Sequence, residues 1–221
     1  MRLFLFFMIA FALFLFAFLP NESNKSKDIE NKDIFYIPHP DDEVFFMLGK
    51  IMQSENPVLV LLTQGGAGNV DLSEQELKKQ RKEEFIQACN HLGIENKYIY
   101  DLPDGNLQVD EVYKVIKNKN NKYPNSYHYT MSYFDSHSDH KNSGLALKKA
   151  MSNNIVDDAF FFLNCYDDTE TYKHKNTTKI KYNKDMLNAK RKVLHYYDLG
   201  KDISDTIWYR QYEQPLERYH K

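Results

Sequence analysis

Two short apolar runs of the chain each end in a cluster of ionisable side chains. The clusters lie about a hundred residues apart and contain His39, Asp41 and Asp42, then His137 and His140. Imidazoles and carboxylates are the donors that a catalytic zinc ion takes from a protein, usually three of them, with a fourth position left open for water. If the chain folds so that the two clusters meet, they predict one metal site.

The residue types also suggest roles within that site. His39, Asp42 and His140 supply three metal ligands, and Asp41 is the candidate general base that accepts a proton from the activated water. His137 is the candidate that stabilises the oxyanion on an attacked carbonyl or protonates a departing amine. Two imidazoles and one carboxylate bind several divalent ions, so zinc is predicted while another divalent ion stays open.

Each cluster has an ordinary structural explanation as well. Pro40 and Asp41 suit a surface turn after a strand. His137 and Asp139 could cap a helix that begins near His140. The presence of both clusters in one chain favours catalysis over these explanations.

The motifs resemble those of a family of de-N-acetylases that includes the N-acetylglucosaminyl-phosphatidylinositol deacetylase of glycosylphosphatidylinositol (GPI) anchor synthesis. The resemblance covers residues 33–219, and its C-terminal part is similar to the eukaryotic, anchor-synthesis branch. In family order, the matching stretches are 39–46, 63–69, 81–93, 103–105, 134–140 and 207–219.

Carried over position by position, the family pattern makes His39, Asp42 and His140 the zinc ligands. It makes Asp41 the general base and His137 the partner of the oxyanion or leaving group. The reaction implied by the resemblance is zinc-dependent hydrolysis of the acetamide of a membrane glycolipid, N-acetylglucosaminyl-phosphatidylinositol.

The sequence departs from the family pattern just before the second cluster. Ser136 alone separates Asp135 from His137, where the anchor-synthesis branch usually has several more residues. Asp139 stands where that branch more often has Asn. The shorter loop affects the expected substrate contacts but leaves the ligand spacing intact.

Two further residues are candidate substrate-binding residues. Arg81 lies on the apolar side of a predicted helix, where a buried charge needs a partner or a cleft. The alternative for Arg81 is a fixed pair with Glu84 or Asp104. Asp104 itself could bind sugar hydroxyls or form an Asp-Gly turn, and the glycine-rich stretch 65–68 is predicted to be a flexible sugar-binding loop.

Short apolar runs alternate with helical patterns through most of the chain. The clearest helix is predicted over 73–92, with a capping box of Ser73 and Glu76 at its start and Gly93 at its end. This alternation predicts an α/β fold, a Rossmann-like, mostly parallel sheet with flanking helices, in which ligands bind at the carboxyl ends of the strands. The predicted strands are 34–38, 57–63, 97–101, 127–134 and 159–166.

The N-terminus begins with an unbroken apolar run of 17 residues, 3–19. It predicts an N-terminal hydrophobic helix within residues 1–20, either a retained membrane anchor, which we favour, or a signal peptide. A polar linker at 21–32 and a single metal-dependent deacetylase domain at 33–221 follow. Positive charges are more numerous after the run than before it, and with the resemblance this predicts a single-pass protein of the endoplasmic reticulum membrane with a cytosolic catalytic domain.

Bulk charge argues against a nucleic-acid partner. The chain has 29 Lys and Arg against 31 Asp and Glu, a formal net charge of −2, so it lacks a basic footprint for polyanions. The predicted partners are the glycolipid substrate and the membrane, and the sequence predicts no particular protein partner.

Two other functions remain open at this point. The first is deacetylation of a soluble N-acetylglucosamine conjugate or oligomer in the secretory path, for which glycans at Asn21, Asn24 or Asn176 would be evidence. The second is a non-catalytic scaffold subunit that keeps the fold, for which purified protein without metal would be evidence.

Overall fold

A seven-stranded sheet forms the centre of the computed structural model, which describes residues 31–68, 71–164, 177–197 and 216–221. The sheet order is β3-β2-β1-β4-β5-β7-β6. Strands β1 to β5 pair in parallel, whereas β7 runs antiparallel to both β5 and β6. The strands are β1 Asp33–Ile37, β2 Pro57–Leu61, β3 Lys97–Ile99, β4 Tyr127–Met131, β5 Asp158–Phe162, β6 Thr178–Lys181 and β7 Leu216–His220.

Helices cover both faces of the sheet because each central strand is apolar on both sides. On one face Ile34 and Val60 belong to a core with helices α3 and α4, and on the other Phe35 and Leu61 pack with α1 and α2. A π-helical segment, Glu43–Met47, precedes α1. The helices are α1 Leu48–Gln53, α2 Glu74–His91, α3 Val109–Lys122, α4 Ser138–Ser152 and α5 Lys184–Leu194.

The α/β fold predicted from the sequence is confirmed, with a mostly parallel, mixed sheet. Helix α2 has the predicted capping box between Ser73 and Glu76. All five predicted strands are present. The first has the predicted length and is shifted by one residue, and the other four are shorter; the run predicted over 127–134, for example, leaves the sheet after Met131. The antiparallel strands β6 and β7 were not predicted.

The predicted single-pass localisation in the endoplasmic reticulum membrane is wrong. No helix in the four described stretches is long and apolar enough to cross a membrane. The apolar run 3–19 and nearly all of the predicted linker lie outside those stretches, and so do Asn69, the end of the fifth predicted strand and the C-terminal motif 207–215.

Gly144 allows helix α4 to lie directly against the chain that follows β4. A Cβ atom here would lie 2.4 Å from the amide nitrogen of Tyr133 and 2.6 Å from the carbonyl oxygen of Met131. Because both are backbone atoms, an alanine would push the helix off the sheet. We expect Gly144→Ala to lower the free energy of unfolding by about 3 kcal/mol in urea titrations, the upper end of the overpacking range. Lys141→Ala, at an exposed position of the same helix, should change it by less than about 0.5 kcal/mol, and equal losses in both variants would contradict this explanation.

Glu217 on β7 joins the C-terminal strand to the first turn of α1. Its buried carboxylate accepts hydrogen bonds from the amides of Gly49, at 2.6 Å, and Lys50, at 3.1 Å, and from the hydroxyl of Tyr182. Burial raises the pKa of this carboxyl to about 7, although the Tyr182 hydroxyl, the two amides and the Lys190 ammonium act in the opposite direction.

A carboxyl whose pKa is higher in the folded state stabilises the fold only while it is protonated. The contribution of Glu217 is therefore fully present below pH 4.5 and is lost as the pH rises to 7, a change of about 3 kcal/mol. We expect Glu217→Gln to remove this pH dependence. From pH 5 to pH 8, the unfolding free energy of the variant should therefore rise relative to that of the unaltered protein. A difference that does not vary with pH would contradict the prediction.

Candidate active site

The carboxyl ends of β1 and β4 lie side by side at the centre of the sheet. From β1 the chain moves outward to β2 and β3, and it returns on the other side of β1 with β4. Such a reversal creates a crevice in which open parallel sheets bind ligands. The loop 38–42 follows β1 and the loop 132–137 follows β4, so the fold brings the two predicted clusters together.

Both ring nitrogens of His39 face carboxylates. Its Nδ1 lies 3.1 Å from Oδ2 of Asp42, and its Nε2 lies 3.2 Å from an oxygen of Asp104 and 3.2 Å from one of Asp139. Burial disfavours a charged ring, but the three carboxylates outweigh it and hold the pKa of His39 well above its ordinary value. The surroundings of this ring therefore favour positive charge.

His140 also has a carboxylate at each ring nitrogen, but here Nε2 rather than Nδ1 faces Asp42. Its Nε2 lies 3.2 Å from Oδ1 of Asp42, and its Nδ1 lies 3.0 Å from Oδ2 of Asp135. Burial again lowers the pKa of the ring, and the two carboxylates raise it to about 9. Asp135 also accepts a hydrogen bond from the amide of His137 at 2.9 Å, which connects the short loop to this histidine.

Asp42 lies between the two rings, with one carboxylate oxygen directed at each. Burial would raise the pKa of this carboxyl, but His140 and His39 outweigh that effect and lower it well below its usual range. Asp42 is therefore an anion that both imidazoles share.

His137 is the most exposed of the three clustered imidazoles. Its ring centroid lies 4.9 Å from that of His39 and 4.6 Å from that of His140. Burial and the two neighbouring rings lower the pKa of His137, so the ring favours its neutral form. One ring nitrogen from each of the three imidazoles lies within 4.8 Å of the others, which makes a three-imidazole ligand set a geometric alternative to the predicted set with Asp42.

Asp41 forms a buried ion pair with Arg81, whose Nη2 lies 2.9 Å from Oδ2 of the carboxylate. The same nitrogen donates a hydrogen bond to the carbonyl oxygen of Pro40. Burial raises the pKa of Asp41 to about 6, with Arg81 opposing this rise and Asp42 adding to it. A carboxyl with a pKa near neutrality suits a general base. Arg81 contacts the candidate base, and the charge of Glu84 also acts on Arg81; its predicted contact with substrate stays a prediction.

Gly65 provides the space that this arginine occupies. It has a φ of +72°, and a Cβ on it would lie 2.6 Å from Nε of Arg81 and 3.2 Å from Cδ of Pro40. Part of the predicted sugar-binding loop therefore packs against the residues that hold Asp41.

Asp104 connects the glycine-rich loop to His39. One oxygen accepts a hydrogen bond from the amide of Ala67 at 2.7 Å, while the other faces the His39 ring. Burial would raise its pKa, but His39 and the Ala67 amide lower it to about 2. Asp104 is thus placed beside the metal-binding candidates, and its predicted contact with substrate stays a prediction.

Asp135 and Asp139 are site residues that the sequence reasoning did not assign. Asp139 is fully buried and accepts hydrogen bonds from the amides of Gly105, at 2.7 Å, and Leu107, at 3.0 Å, in addition to facing His39. A carboxylate near a candidate ligand histidine is a usable signal, because ligating histidines commonly donate their second ring N–H to one.

Among the described residues, two groups of donor atoms lie close enough together to hold a divalent ion: His39 with His137 and His140, and His39 with Asp104 and Asp139. The predicted ligand Asp42 belongs to neither group but contacts both His39 and His140. The nitrogens of His39 and His140 that face Asp42 are Nδ1 and Nε2 respectively, and the opposite nitrogen of each ring faces a second carboxylate. This is the pattern of a metal-ligating histidine that is oriented by an outer carboxylate. The described residues therefore contain a cluster of histidines and aspartates that could hold a metal such as zinc.

Comparison with known proteins identifies a family for this sequence. A family model described as PIG-L: GlcNAc-PI de-N-acetylase matches residues 34–151, more than half of the 221-residue chain. The match includes every predicted site residue. No curated protein sequence shows significant similarity to the chain.

Several solved structures share the fold. The N,N'-diacetylchitobiose deacetylase from Pyrococcus horikoshii is 22% identical, with a TM-score of 0.61 over 80% of this chain and 73% of that one. A zinc-inhibited form of the teicoplanin deacetylase Orf2 is 14% identical, with a TM-score of 0.66 over 86% and 98%. GalB, a 4-carboxy-2-hydroxymuconate hydratase from Pseudomonas putida, is 16% identical, with a TM-score of 0.63 over 83% of each chain. At these identities the likeness establishes the fold alone, and the fold carries more than one chemistry.

Proposed function

The chain belongs to the PIG-L family of GlcNAc-PI de-N-acetylases, and we propose that it is a zinc-dependent deacetylase of N-acetylglucosamine groups. The observation that carries the proposal is the Asp42 carboxylate shared by His39 and His140, with the buried pair of Asp41 and Arg81 beside it. A scaffold needs none of these contacts. They fit a hydrolase with a metal ion and a separate base.

The proposed substrate is N-acetylglucosaminyl-phosphatidylinositol, and the products are glucosaminyl-phosphatidylinositol and acetate. The family description and the sequence motifs support this choice. The deacetylase of N,N'-diacetylchitobiose among the similar structures supports the alternative, a soluble N-acetylglucosamine conjugate.

The reaction replaces the C–N bond of the acetamide with a C–O bond. A bound divalent ion would polarise the carbonyl and acidify water, and His39, Asp42 and His140 would hold that ion. Asp41 accepts the proton of the attacking water, and Arg81 keeps its carboxylate in place. His137, the exposed ring at the edge of the cluster, stabilises the oxyanion or supplies the proton that the departing amine takes up.

Acetate release tests the proposal directly. Purified protein is incubated with N-acetylglucosaminyl-phosphatidylinositol in detergent micelles and, separately, with N,N'-diacetylchitobiose, before and after chelation and again after zinc is restored. Release from the glycolipid that stops on chelation and returns with zinc supports the full proposal. Release from the disaccharide alone would support deacetylation but make a soluble sugar the substrate instead of the glycolipid. Bound metal without release from either compound would overturn the proposed substrates, and protein that binds no metal would favour a scaffold.

A further inference from the structure

The backbone of Asp41 has a conformation that an aspartate rarely adopts. Its φ is +106°, in the region where a side chain is strained, and such a residue costs about 1–3 kcal/mol unless its surroundings impose it. The neighbouring Asp42, by contrast, has an ordinary helical conformation. The strain therefore falls on the candidate base itself.

Every polar backbone group of Asp41 has a partner. Its carbonyl oxygen accepts hydrogen bonds from the amides of Val44, at 2.9 Å, and Phe45, at 3.0 Å. Its amide donates to Oε2 of Glu43 at 3.2 Å. The first two bonds begin the helical segment after Asp41, whereas the third depends on one side chain.

Glu43 is fully buried, and its other oxygen accepts a hydrogen bond from the hydroxyl of Tyr197. A buried carboxyl oxygen without a hydrogen-bond donor is costly, so the Tyr197 hydroxyl stabilises Glu43 in this position. Tyr197 is also fully buried, and it packs with Val44, Leu48 and Ala88 in a core beside α5. It lies beyond the segment 34–151 that matches the family.

We propose that Glu43 and Tyr197 are positioning residues that hold the backbone of Asp41 in the conformation in which its carboxylate accepts a proton. Tyr197 acts through Glu43, and Glu43 acts on the Asp41 amide. Arg81 holds the carboxylate of the same residue through their ion pair. The inference rests on the proposed function only in taking Asp41 as the proton acceptor.

Tyr197→Phe removes the hydroxyl and keeps the ring that packs in the core. We expect kcat for the glycolipid to fall by about 10- to 100-fold, because small displacements of a catalytic group have effects of this size. KM and zinc content should stay unchanged, since Tyr197 is fully buried and its hydroxyl contacts Glu43 rather than a candidate metal ligand. Tyr196→Phe is the matched control: it removes the neighbouring hydroxyl, which lies 3.2 Å from Nδ1 of His91, and it should leave kcat unchanged.

A double-mutant cycle tests the path through Glu43. Glu43→Gln keeps the shape of the side chain but has one acceptor oxygen for two donors. In that background Tyr197→Phe should cause no further loss of kcat, because the remaining oxygen is then free to accept from the Asp41 amide. Losses that multiply would overturn the proposed path.

Amide hydrogen exchange at Asp41, followed by NMR, provides a readout that does not need activity. We expect Tyr197→Phe to speed this exchange at least tenfold and Tyr196→Phe to leave it unchanged. Unchanged exchange at Asp41, a rise in KM without a fall in kcat, or a Tyr197→Phe protein that does not fold would each overturn the inference. If the unaltered protein releases no acetate, the proposed function fails, while the exchange measurement still tests whether these residues hold Asp41.

Discussion

Asp41→Asn is expected to lower kcat by about 10²- to 10⁴-fold, the usual contribution of a general base. The amide has nearly the shape of the carboxylate but cannot take a proton from water. Asp41 is beside the ligand candidates without sharing a proton with either ring, since its carboxylate contacts Arg81. The variant should therefore bind as much zinc as the unaltered protein.

The measurement combines acetate release with metal content determined by mass spectrometry. Asp157→Asn, the same exchange at an exposed position before β5, should change neither quantity. An Asp41→Asn variant with full activity would remove Asp41 from the mechanism. A variant that loses both metal and activity would make Asp41 part of the metal site instead.

Asp42→Ala is expected to weaken metal binding, whereas His137→Ala is expected to leave it unchanged. The rings of His39 and His140 both face Asp42, with each opposite nitrogen held by another carboxylate. We therefore predict that Asp42→Ala weakens zinc binding by more than the roughly 10- to 100-fold that loss of an outer-shell partner costs. His137→Ala should bind zinc normally and lose activity through the missing oxyanion or proton partner.

Competition with a chromogenic chelator measures both affinities. His140→Ala is the positive control for a lost ligand, because both ligand sets contain His140. The alternative set of three imidazoles, whose ring nitrogens lie within 4.8 Å of one another, predicts the reverse order. If His137→Ala loses as much affinity as His140→Ala while Asp42→Ala retains it, the predicted ligand set is wrong.

The parallel part of the sheet could be predicted because its signals are local. Buried parallel strands are short apolar runs bounded by turn residues, and the capping box of α2 lies within four residues. Strands β6 and β7 carry no such signal, since Thr178–Lys181 contains two lysines and Leu216–His220 contains Glu217 and Arg218. They form because β7 pairs with both β5 and β6. Pairing between distant parts of the chain leaves no local pattern in the sequence.

The candidate site could be predicted only in part, for the same reason. That both clusters meet follows from a rule about parallel sheets, whose strands present their carboxyl ends at one edge. The pairing of Arg81 with Asp41 could not be read in advance, because it depends on how α2 packs beside the loop after β1. The membrane localisation rested on residues 3–19, which lie outside the described stretches, and nothing in those stretches supports it.

The sequence by itself determined the residue types of the site, the order of the first five strands along the chain and the family to which the chain belongs. Only the tertiary structure decided which carboxylate faces which ring nitrogen: Asp135 on His140, Asp104 and Asp139 on His39, and Asp42 between both rings. A motif shows which residues are close along the chain. It indicates which side chains contact each other only where the backbone is regular. The loops after β1 and β4 are irregular, and Asp41 in the first of them has a φ of +106°, so the motif alone does not indicate their side-chain partners.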